Sequence, residues 1–118
     1  MKNITVLIDT NIFIDVLQDR IPFTDNSQAV IGLVTQKKIK GAVAAHSITN
    51  LWYILRKTHS DEERRNYILS LFEIFDVISI DKNRLVAALE NSNFKDFEDC
   101  LQDECACAIN ADYIITRN

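Results

Sequence analysis

Residues 4–8, ITVLI, are apolar at nearly every position, the pattern of a short strand covered on both faces. Asp9 ends the run, and Ile12, Phe13, Val16 and Leu17 then recur at helical spacing. After Pro22 a second helix is predicted over about residues 25–38, with Ala29, Val30, Leu33 and Val34 as its apolar stripe. Residues 41–45, GAVAA, read as a second buried strand. Ser47 is placed to cap the next helix, striped by Ile48, Leu51, Trp52 and Leu55. In SDEE, Ser60 and Glu63 spell a capping box, opening a helix with Tyr67, Ile68, Leu71 and Phe72 inward. Residues 76–80, DVISI, form a third strand, and Asp81 caps a helix carrying Leu85, Val86 and Leu89. A last helix holds Phe97, Leu101, Cys105 and Ala108, and residues 112–116, DYIIT, are a fourth strand.

Short apolar strands separated by helices predict an α/β fold. It has one parallel sheet of about four strands with helices on both faces, a three-layer α/β/α arrangement. At 118 residues the chain makes a single domain, residues 1–118, with one core. Ligands of such sheets bind beyond the carboxyl ends of the strands. Asp9 follows the first strand, Ser47 and Asn50 follow the second, and Asn118 follows the fourth, so all four belong to one edge.

Composition narrows the classes further. Two glycines and one proline rule out long irregular linkers and a Gly-rich phosphate loop. No apolar run reaches membrane-spanning length and no charged-then-apolar leader opens the chain, so a cytoplasmic protein with no membrane partner is expected. Cys100, Cys105 and Cys107 are odd in number, crowded and without a nearby His, which favours free thiols over a disulfide framework or zinc site. A net charge of −4 excludes a generic nucleic-acid coat, though not an enzyme whose acids hold cations.

The stretch KDFEDCLQDE, residues 95–104, carries five carboxylates: Asp96, Glu98, Asp99, Asp103 and Glu104. D-x-x-D is a capping pattern, with Asp96 as N-cap and Asp99 at the third helical position. Capping needs one or two acids, not five. Helical spacing aligns Asp96 with Asp99 and turns Glu98 elsewhere, so Glu98 and Glu104 are expected in solvent. Asp9 reads either as a cap or as a metal ligand at a strand end. Together, Asp9, Asp96 and Asp99 would make the oxygen-rich site that suits Mg²⁺ or Mn²⁺. Asn11 can reach a phosphate or a bound water, Arg117 can contact a phosphate, and His46 lies near the same edge.

The whole chain resembles the PIN-domain family, in order: a hydrophobic strand then DTNIFIDVL, the SITNLWYIL helix, and DFEDCLQDECACAINADYIITRN. The resemblance implies a metal-dependent nuclease on a parallel sheet, in many members a VapC-like ribonuclease toxin held by an antitoxin. Asp9 matches the family's first acid, Asp99 its third, and Asp96 an additional acid of one branch. Asn50 stands where the family commonly has Glu, and Asn118 where it has an acid. The family usually continues beyond that point with a strand and a helix, so the domain is expected to be C-terminally short. The resemblance implies an endoribonuclease in which Asp9, Asp96 and Asp99 hold Mg²⁺ or Mn²⁺, while Asn11, Ser47, Asn50, Arg117 and Asn118 orient water or substrate. The partners it implies are RNA and a cognate antitoxin. The early end of the chain adds an expected homodimer or higher oligomer through faces near Trp52, Tyr53 and Phe72. Two alternatives stay open. One is a catalytically weakened or dead PIN-like binding or oligomerisation module. The other is a haloacid-dehalogenase-like phosphohydrolase built on VLIDTN, which would need a second Asp where Asn11 stands.

Overall fold

The computed structural model describes residues 3–92 and 96–116. The described residues form a four-stranded parallel sheet and six α-helices. The order along the chain is β1 (Thr5–Ile8), α1 (Thr10–Leu17), α2 (Thr24–Thr35), β2 (Lys40–Ala44), α3 (Ala45–Ile54), α4 (Asp61–Ile74), β3 (Asp76–Ile78), α5 (Lys82–Glu90), α6 (Phe97–Ala108) and β4 (Tyr113–Ile115), with a 3-10 turn over Leu55–Lys57. The strands lie in the order β3-β2-β1-β4. Val6 pairs with Gly41 on one side and Tyr113 on the other, so β1 is central and its carboxyl end is flanked by β2 and β4. That register brings Asp9, the start of α3 and Thr116 to a common edge.

Alternation along the strands divides the core. Val6, Ile8 and Val43 join Ile12, Phe13, Leu51, Leu55, Leu71 and Phe75 in the larger cluster, where Phe13 meets Phe75 edge-on with ring centroids 5.2 Å apart. Leu7, Ala42 and Ala44 face the other way, against Cys105 and Ala106 of α6. Their small side chains let α6 lie close to the sheet. Gly41 fits a similar demand, because a Cβ there would stand 2.8 Å from the Phe75 ring and from Val34 Cγ1.

The expected elements all form, with shifts at their ends. α2 starts at Thr24, and β3 stops at Ile78 rather than at residue 80. α3 starts at Ala45 with no side-chain cap, so Ser47 does not cap it and is buried within its first turn. The Ser60–Glu63 capping box is present, and Asp81 accepts a hydrogen bond from the Arg84 N–H at 2.9 Å. Cys100, Cys105 and Cys107 form no disulfide among the described residues, and the first two are buried. No helix among the described residues is long and apolar enough to cross a membrane.

Candidate metal and substrate site

Asp9 occupies the N-cap position of α1 but makes no side-chain capping bond. Its backbone N–H donates to the Ile115 carbonyl at 3.0 Å, which ties it to β4. Three side chains converge on its carboxylate instead. Gln102 Nε2 donates to Oδ1 at 3.3 Å, while Asn11 Nδ2 and Thr116 Oγ1 each donate to Oδ2 at 3.4 Å. An Asp that only capped would aim its oxygens at its own helix. This one is turned to the sheet edge by residues from α1, α6 and the end of β4.

Gln102, which the sequence reading did not single out, is the organiser of the floor. It is only 6% exposed, and its amide nitrogen also donates to Ser47 Oγ at 3.4 Å. The neighbouring carboxylate dictates the orientation of the amide, since a flipped group would set two oxygens against each other. Its Oε1 is therefore turned away, buried and without a partner among the described residues. The spacing that could have revealed it is D-x-x-Q: Gln102 lies one turn beyond Asp99.

The acidic run is arranged differently from the spacing argument. Asp96 caps α6, accepting from the Glu98 N–H at 3.4 Å, and Asp99 occupies the third helical position as expected. Glu98 does not point away. Its Oε1 accepts from Asn50 Nδ2 at 2.9 Å, bridging α6 to α3. The physical reason is that first-turn side chains tilt toward the helix N-terminus, so a long one reaches across the helix mouth rather than along the helical face. Partial burial pushes the Glu98 carboxyl above its ordinary range, and Asp9, Asp96 and Asp99 push it the same way, against the Asn50 bond. Like charges from β1 and α6 thus act on one another. Farther along, Asp103 accepts from Asn91 Nδ2 at 3.0 Å and serves the α5–α6 contact.

His46, in the first turn of α3, is half-buried, and neither ring nitrogen has a partner among the described residues. Burial lowers its pKa while Asp9 raises it, burial being the larger effect. Thr10 Oγ1, next to Asp9, is also buried without a partner. Among the described residues, three of the four side chains with such orphaned atoms, Thr10, His46 and Gln102, belong to this edge. The structure therefore brings together Asp9, Asn11, Ser47, Asn50 and the acids at the start of α6. Arg117 and Asn118 lie outside the described residues.

The carboxylate oxygens of Asp9 and of the start of α6 are donors of the type that suits a hard divalent cation. As they stand, no three His, Cys, Asp or Glu side chains among the described residues converge closely enough to hold a metal.

The family follows from this ground. The PIN domain family model matches residues 5–118, and the chain belongs to the PIN-domain family. Two solved structures share its fold. Mycobacterium tuberculosis VapC20, described as a sarcin-ricin loop cleaving toxin, superposes with a TM-score of 0.75 at 11% identity, over 96% of this chain and 89% of that one. Rickettsia felis VapBC2, bound to a DNA fragment from its promoter, gives a TM-score of 0.66 at 18% identity, over 98% of this chain and 88% of that one. No curated relative matches the sequence.

Proposed function

We propose that this PIN-domain protein is a metal-dependent endoribonuclease that hydrolyses RNA phosphodiester bonds, and the toxin of a toxin–antitoxin pair. The observation that carries the reading is the Asp9 carboxylate, left free of its helix and oriented by Gln102, Asn11 and Thr116. The VapC likeness in fold supports the toxin assignment. Asp9, Asp96 and Asp99 would hold Mg²⁺ or Mn²⁺. Such an ion, when bound, activates a water for attack on phosphorus and offsets charge on the phosphate oxygens. Gln102 and Ser47 keep Asp9 in one orientation, and Asn11 presents an amide at the mouth of the site. Arg117 and Asn118, next in the sequence after Thr116, are proposed to orient water or substrate.

Cleavage of a structured RNA, followed with Mn²⁺, with Mg²⁺ and with chelator, tests this directly. We expect metal-dependent internal cleavage that Asp9→Asn abolishes. Cleavage by Asp9→Asn at the wild-type rate would remove Asp9 from the mechanism. The second reading, an inactive PIN-like module, is favoured by Asn50, which adds an amide where a carboxylate would add charge. It predicts no Mn²⁺ binding and no cleavage.

A homodimer or higher oligomer is also proposed, through the exposed Tyr53, Leu69 and Phe72, beside Trp52. Arg64 lies 3.9 Å over the Trp52 ring and donates to the Trp52 carbonyl at 2.8 Å, leaving an apolar hollow against Ile48, Ile68 and Leu69. A clean monomer by sedimentation equilibrium at about tens of micromolar, where modest interfaces fill, would contradict this.

A further inference from the structure

We propose that Lys37, Lys38 and Lys40 form a phosphate-binding patch that holds long RNA at the edge of the sheet opposite Asp9. This rests on the RNA reading above and deepens it by naming how an acidic protein retains such a substrate. The chain carries 17 acids against 13 lysines and arginines, and acids crowd the edge where Asp9 meets the start of α6. A polyanion is repelled there unless positive charge is supplied elsewhere. Three of the 13 cations stand within four residues, between the end of α2 and the first residue of β2.

Local structure fixes the backbone that presents these lysines. The Lys37 N–H donates to the Val34 carbonyl at 2.9 Å and the Lys38 N–H to the Leu33 carbonyl at 3.0 Å, closing α2 with Lys37 left-handed at φ 60°. That position usually takes Gly, so Lys37 is held there against a steric penalty. No basic residue stands in the last turn of α2, where a lysine would serve the negative end of the helix. Lys40 then opens β2, paired with Thr5 of β1. With Asn3, the three lysines line a hollow of about 290 Å³, in which Asp76 is the one acid among the described residues. All three are exposed, and none makes an ion pair among the described residues. The hollow lies at the amino ends of the parallel strands, whereas Asp9 follows the carboxyl end of β1. Thr5 to Asp9 alone spans about 13 Å at about 3.3 Å per residue, and the helices on both faces lengthen any path around the sheet. A trinucleotide seated at Asp9 falls short of the lysines, while a long RNA can touch both edges.

Salt-dependent binding and kinetics test the proposal on wild type, on Lys37→Gln/Lys38→Gln/Lys40→Gln and on the control Lys57→Gln/Lys82→Gln. Circular dichroism melting verifies the fold of each. A long structured RNA, and polyglutamate beside it, are titrated in chelator at several salt concentrations. The patch variant should flatten the slope of log affinity for RNA against log salt by about two, near the worth of three phosphate contacts. Its KM for cleaving that RNA in Mn²⁺ should rise several-fold with kcat kept, while a trinucleotide is cleaved at the wild-type rate. Lys38→Gln/Lys40→Gln, which leaves the left-handed Lys37 in place, should show about two-thirds of the loss in slope. A wild-type slope and KM in the patch variants overturn the proposal and leave the nuclease reading standing. An equal loss per charge in the control overturns it too. Weakened polyglutamate binding with unchanged RNA binding overturns it in favour of an acidic protein segment. A wild type that neither binds nor cleaves RNA overturns the nuclease reading and the proposal together.

Discussion

Helices α4 and α6 both open on acids, Asp61, Glu62 and Glu63 behind Ser60 in one and Glu98 and Asp99 behind Asp96 in the other. Charge favours both, since carboxylates suit the positive end of a helix. At α4 the acids serve the helix. Ser60 Oγ accepts from the Glu63 N–H at 3.1 Å, Glu63 Oε1 accepts from the Ser60 N–H at 2.8 Å, and these bonds hold the Glu63 carboxyl below its usual range. At α6 Asp96 also caps its helix, but Glu98 does not bond back to the N-cap. Glu98 reaches α3, and burial and three like charges hold its carboxyl above its usual range. An acidic helix start is only a cap when its carboxylates face their own N–H groups, and a candidate site when one of them turns to another element, as Glu98 does to α3.

The largest expected difference between the two helices is in metal affinity and cleavage. Asp99→Ala should weaken Mn²⁺ binding severely and cut RNA cleavage with it, whereas Glu62→Ala on α4 and Glu104→Ala beyond the helix mouth should be nearly silent in the same calorimetric and cleavage assays. Equal losses at all three positions would mean a diffuse acidic surface. Next comes Gln102→Leu, which removes the brace on Asp9 and the orphaned Oε1 together. Mn²⁺ affinity should fall about tenfold, with metal-free melting unchanged or raised, because an unpaired buried oxygen is gone. A lowered melting temperature with wild-type affinity would make Gln102 a purely structural residue.

Ser60→Ala should cost about 1 kcal/mol of stability, the usual worth of such a cap, read from denaturant unfolding, and leave metal binding untouched. The smallest effects concern pH and should have opposite signs. A depressed carboxyl stabilises the fold above the ordinary carboxylate pKa and loses that contribution as pH falls through its folded value. Glu63→Gln should therefore melt below wild type at neutral pH, and the gap should close in acid. A raised carboxyl does the reverse, since the native state binds the proton more tightly and stability falls as pH rises. Metal-free Glu98→Gln should melt above wild type at neutral pH, with the two curves meeting in acid. Melting scans over a pH series measure both, and shifts of the same sign would erase the contrast.

Much of this was legible in the chain. The run from Ile4 to Ile8 showed a central strand because burial on both faces leaves no polar alternation, and Ser60 with Glu63 announced its cap through two fixed residue types. Asp9 could be placed at a strand end, but whether its carboxylate capped α1 depended on Gln102 and Thr116, 93 and 107 residues away. The orientation of Glu98 was missed for a related reason. Helical spacing describes the face of a helix, while the first turn splays toward whatever element lies before it, here α3. Ser47 looked like a cap because its sequence neighbourhood suits one, yet α3 begins at Ala45 and draws it inside.

The central claim is that the edge holding Asp9 and the start of α6 takes a divalent cation. Calorimetric titration of Mn²⁺ into wild type and Asp9→Asn tests it most directly. The account predicts a saturable binding event in the wild type that is absent in a folded Asp9→Asn variant. Titrations that are flat for both proteins, or that coincide, would contradict it.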